Sequence, residues 1–121
     1  DENTELGLES GHSVKIKNIE INDILKYGEI VLAKVEIDAS NMKNIKKINY
    51  NGNEIIGSNI LFKENLGIKH SNDINGENVN RKKLYHLITD KGLIYINGFT
   101  IFDYEGNLEQ ILDIYENQKK N

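Results

Sequence analysis

Apolar residues recur along this chain mostly at every second position, the spacing of a half-buried strand. In "GEIVLAKVEID", Val31, Ala33, Val35 and Ile37 share one face. The other face runs from Ile30 and Leu32 to Lys34, Glu36 and Asp38, so this strand is expected to start buried on both sides and end half-solvated. "SVKIKNIEIN" alternates through Val14 and Ile16, then shifts phase to Ile19 and Ile21, which predicts a bulge at Asn18.

The chain has no proline, so its turns fall to Gly, Asn and Asp, which accept positive φ. Asn51-Gly52 and Asn97-Gly98 each lie between strand-like flanks. Asn-Gly in that setting marks a two-residue hairpin, because a type I′ turn needs positive φ twice and matches strand twist. "NIKKINY" and "NEIIGSNILF" flank the first turn, with Gly57 a candidate bend; "LIYIN" and "FTIFDY" flank the second.

Two segments read both ways. Residues 81–91 fit a helix capped by Asn80, or a strand alternating Leu84, His86, Ile88 against Tyr85, Leu87, Thr89. The strand is favoured because a meander through it needs only short loops. Residues 107–118 favour a short helix, with Asn107 as cap and Gln110 completing a capping box. Leu108, Ile111, Leu112 and Tyr115 then form one stripe, with Ile114 off it; the competitor is a further hairpin strand. The expected fold class is α+β, mainly β: an antiparallel β-meander forming a small barrel or sandwich with a short C-terminal helix.

Length and composition sharpen this picture. The 121 residues suit one domain, and 38% hydrophobic content spread along the chain suits a packed core. Residues 1–12, polar and Gly/Ser-punctuated, read as a flexible leader before a single β-rich domain over 13–118. The chain begins at Asp1, as an exported or lipid-anchored protein does after signal removal, and as a trimmed fragment also does. Heavy use of Asn, Ile and Lys points to an AT-rich genome, a clue to origin and not to activity. No apolar run reaches the roughly 18 residues of a membrane span. A net charge of −4 disfavours nucleic acid as partner.

Candidate chemistry is sparse. Without cysteine, disulfides and thiolate metal sites are ruled out. Ser71, Asp73, Asn75 and Gly76 resemble the start of a calcium loop, but Lys82 stands where a bidentate Glu belongs. His12, His70 and His86 lack the spacing of a metal pair. No nucleophile motif or phosphate loop appears, so no catalytic residue, metal or cofactor is expected.

Charge is more informative. Cations gather at Lys43, Lys46, Lys47 and at Arg81, Lys82, Lys83, whereas no cation lies between Lys91 and Lys119. That stretch supplies Asp103, Tyr104, Glu105, Glu109, Asp113 and Glu116 as a candidate surface for a basic protein partner. The expected function is a non-catalytic bacterial protein-binding domain, an immunity or inhibitor protein. The alternative is a cell-envelope lipoprotein domain with a ligand-binding or scaffold role, extracytoplasmic in location.

Overall fold

A computed structural model describes residues 1–50, 52–96 and 99–119, with side chains in the last helix described up to residue 113. Among the described residues the strands run, in chain order, β1 (Glu5–Gly7), β2 (Ser13–Lys15), β3 (Val31–Asp38), β4 (Lys46–Tyr50), β5 (Asn53–Gly57) and β6 (Leu61–Glu64). There follow β7 (Gly67–His70), β8 (Gly76–Asn78), β9 (Lys83–Thr89), β10 (Leu93–Ile96) and β11 (Phe99–Phe102), and then a helix, α1 (Tyr104–Lys119). The fold is therefore mainly antiparallel β with one C-terminal helix, as the pattern predicts. The strands divide among four small sheets, β1-β2, β3-β9, β5-β4-β8 and β10-β11-β6-β7, and close no barrel.

Residues 81–91 resolve as strand: β9 pairs antiparallel with β3 from Val31↔Thr89 to Asp38↔Lys83. Along β3 buried or half-buried residues alternate with exposed ones, and Val31, Ala33, Val35 and Ile37 take the inner face. The start of β3 is not buried on both sides. The register slips between Val31 and Ala33, and Ile30 and Leu32 stand out at 37% and 50% exposure. The phase break near Asn18 is a 3-10 turn over Ile16–Asn18, not a bulge. It lets Ile16 and Ile19 both face inward while Ile21 is left outside.

β4 and β5 form the hairpin expected around Asn51-Gly52, and Gly52 has φ +82°. Asn51, and the whole Asn97-Gly98 turn, lie outside the described residues, although β10 and β11 pair on either side of the latter. Gly57 does end β5, where a Cβ would come within 2.8 Å of Ile60. The main core joins Leu6, Ile19, Leu25, Val31, Ile48, Phe62, Leu87 and Ile94, and a second cluster gathers Ala39, Ile45 and Leu84.

Both chain ends depart from expectation. The first twelve residues include β1, which pairs with β2, and Leu6 is 4% exposed in the core. An alternating apolar residue and a nearby partner strand recruit this segment into the body. At the other end α1 starts three residues before the expected cap. Asp103 caps it: its Oδ1 accepts the Gly106 N–H at 2.7 Å and its carbonyl accepts the Asn107 N–H at 2.8 Å. A carboxylate at this position satisfies an orphan amide and meets the positive end of the helix dipole, which a neutral Asn107 does less well. The stripe expected to face inward does not: Leu108, Ile111 and Leu112 are 45%, 38% and 58% exposed.

Candidate active site

Asp103 follows β11 and is fully buried. Its second carboxylate oxygen accepts the Thr89 N–H, at the end of β9, at 2.8 Å. Its own N–H donates to the Gly92 carbonyl at 3.1 Å. The side chain is thus clamped between the last residue of β9 and the first turn of α1. Three residues back along β9, His86 is half-buried, with the Tyr104 ring edge-on to its imidazole at 6.2 Å between centroids.

The His86 tautomer follows from its hydrogen bond. Nδ1 accepts the Leu87 N–H at 2.9 Å, so the ring proton of the neutral form sits on Nε2. Removal from water pushes the imidazole pKa down to about 4. The Asp103 carboxylate pulls it back up, and the amino group of Asp1, whose own pKa burial lowers to about 6, pushes it further down when charged. At neutral pH the ring is therefore uncharged.

Asp1 arrives from the opposite end of the chain. Its nitrogen donates to the Ile56 carbonyl at 2.8 Å and to Thr4 Oγ1 at 3.2 Å. Its carboxylate accepts Arg81 Nε at 3.0 Å, an ion pair whose acid side chain is 10% exposed. Asp1, Ser58 and His86 are polar members of a mostly apolar cavity of about 70 Å³, walled by Ile37, Ile55 and Leu84 among others. That space holds a water or a peptide carbonyl and is far below a drug-sized site.

The acidic stretch does not form one surface. Glu105, Glu109 and Asp113 are exposed on α1, Tyr104 is half-buried, and the Glu116 side chain lies outside the described residues. Asp103 is turned fully inward. Sequence reasoning set His86 aside and placed Asp1 in a leader. The signal it passed over was Asp103 itself, a carboxylate three residues before a glycine amide at a strand-to-helix junction. Ser71, part of the calcium-like run, is buried, and its Oγ accepts the Ile60 N–H at 3.1 Å.

This body of small antiparallel sheets is similar in fold to inteins, which are protein-splicing domains. The crystal structure of the gp41-1 intein matches with a TM-score of 0.65 at 19% identity, over 85% of this chain and 96% of that one. A gp41-1 intein variant with three substitutions matches at TM-score 0.59 and 18% identity, over 85% of this chain and 97% of that one. At such identity the likeness is one of fold. No protein-family description and no curated protein matches the chain.

This likeness corrects the functional expectation. The solved structures that share this fold are inteins, which carry out self-catalysed splicing, and not immunity or inhibitor proteins, so the non-catalytic expectation loses its ground. The envelope-lipoprotein alternative, and the secreted status that went with it, fall for the same reason. The expectation rested on an absence of sequence motifs, and here side chains distant in sequence are assembled by the fold.

Proposed function

We propose that this chain is a self-processing domain of the intein fold that breaks its own backbone at the Asp103–Tyr104 junction. What supports this reading is that Asp1 and His86 line one small cavity, while Asp103, whose carboxylate also acts on the charge of that imidazole, is clamped between the end of β9 and the first turn of α1. With no cysteine in the chain, the attacking atom is an oxygen rather than a thiolate.

The Asp103 side chain is one five-membered ring away from its own carbonyl carbon. Closure forms a carbon–oxygen bond and breaks the bond to the Tyr104 nitrogen, which leaves as an amine after taking a proton. The cyclic anhydride then adds water and returns Asp103 with a free α-carboxyl group. Tethering nucleophile to electrophile replaces an improbable encounter with an intramolecular one. Protonated His86, beside Tyr104, supplies the proton to the departing nitrogen. The resting bonds from Thr89 and Gly106 hold the carboxylate back, so the first turn of α1 must loosen before attack.

The test joins a carrier domain after the chain, leaving the Asp1 amino group free, and follows intact mass at pH 5 and pH 7. Fragments ending at Asp103 are expected, faster at pH 5, absent in Asp103→Ala and slowed by about a hundredfold in His86→Phe. A folded fusion that yields no such fragment over days, or cleavage there that survives both substitutions, overturns the proposal.

A further inference from the structure

On the other side of Asp1 lies a second and larger hollow, a groove of about 760 Å³. One wall is the run from Asn3 to Glu9 through β1, and the facing wall is four consecutive residues of β5, Asn53 to Ile56. A wall made of consecutive strand residues presents a backbone edge rather than one side-chain face. Among the described strands β5 is the outer one of its sheet, with β4 as its ladder partner. In an antiparallel ladder every second residue turns its N–H and C=O toward the partner. The Ile56 carbonyl accepts from Asp1, so Ile56 and Glu54 turn theirs away from β4 and into the groove.

The far end of the groove is aromatic and held rigidly. Tyr27 and Tyr95 face each other at 5.5 Å between ring centroids and are 53% and 37% exposed. Beneath them Glu29 is fully buried, with one oxygen accepting the Tyr27 N–H and the other the Tyr95 N–H, each at 3.1 Å. A buried carboxylate spent on two backbone amides fixes the spacing of the tyrosines before anything binds.

Charge selects the occupant. The Asp1 carboxylate pairs with Arg81, and burial lowers the pKa of the Asp1 amino group to about 6, so the remaining lining charges at neutral pH are chiefly Glu5, Glu9 and Glu54 against Lys26. Lys26 stands 5.6 Å over the Tyr27 ring, and Glu54 has Lys47 at 3.7 Å on the exposed side.

We infer that this groove binds an extended basic peptide segment, which adds as a strand to the β5 edge. Its backbone pairs with Glu54 and with the Ile56 N–H, the Ile56 carbonyl being held by Asp1, its Lys or Arg side chains meet Glu5, Glu9 and Glu54, and an apolar or cationic side chain rests on the Tyr27–Tyr95 pair. The edge accommodates about four extended residues at roughly 3.3 Å each. This binding is separate from the cleavage proposed at Asp103 and stands or falls by itself.

Fluorescence anisotropy with a labelled Lys-Val-Arg-Val-Lys peptide tests it, against a Glu-Val-Glu-Val-Glu peptide and a version of the first methylated on alternate backbone nitrogens. The basic peptide is expected to bind saturably, and more weakly as salt rises. Affinity should fall by about tenfold in Glu5→Lys/Glu54→Lys. Backbone methylation on the edge-facing nitrogens should weaken it by a similar factor, about tenfold. Hydrogen exchange at the Glu54 and Ile56 amides should slow in the complex. Saturable binding of the acidic peptide with equal affinity, indifference to backbone methylation, or no saturation by the basic peptide up to millimolar concentration each overturns the assignment.

Discussion

His86 couples the protonation of one side chain to the stability of the fold. Its pKa drops from the ordinary 6.5 to about 4, so between those values the unfolded chain takes up a proton that the folded chain refuses. Stability is full above pH 6.5 and declines as pH falls through this window, by roughly 1.4 kcal/mol per unit and about 3 kcal/mol across it. Urea unfolding at pH 7 and pH 4.5 should show this loss, and His86→Gln should remove most of it. An unchanged slope after that substitution would mean that other groups set the acid sensitivity. The Tyr50 phenol behaves in the opposite sense. Burial against Phe62, together with a 2.6 Å bond to Glu64, raises its pKa to about 12, so it stays a donor throughout the useful range.

Among the elements, β3, the β4–β5 hairpin and the β10–β11 pair were legible because alternation and turn chemistry agree locally. The strands β1 and β7 were not. "ELG" is too short to show a period, and the "LFKENLGIKH" hairpin turns through Leu66, an apolar residue wholly exposed at its tip. The start of α1 was missed because the charged cap Asp103, four residues upstream, outcompetes the neutral Asn107. The inward stripe was misjudged because helical spacing shows which residues share a face, and not whether a partner covers it. Replacing Leu108, Ile111 and Leu112 together by Gln should therefore change stability by less than about 1 kcal/mol in chemical denaturation. A loss of about 3 kcal/mol or more would show that this face is packed in solution.

For the molecule as a whole, the candidate site was illegible for a reason of scale: Asp1, His86 and Asp103 share no local pattern, and only the tertiary path brings them together. The first residues are part of that path. Deleting residues 1–8 removes Leu6 from the core, β1 from its pairing and the Asp1–Arg81 contact. Cooperative melting should be lost or the midpoint should fall by more than about 10 °C. A variant that melts like the parent would return this segment to the status of a leader.

The Asp1–Arg81 pair and the bond from Asp1 to Ile56 tie the start of the chain to segments far along it. Contacts of such sequence separation form only after long loops have closed, and they slow folding more than they change stability. The cavity beside His86, which Asp1 helps to line, is therefore expected to close late in folding.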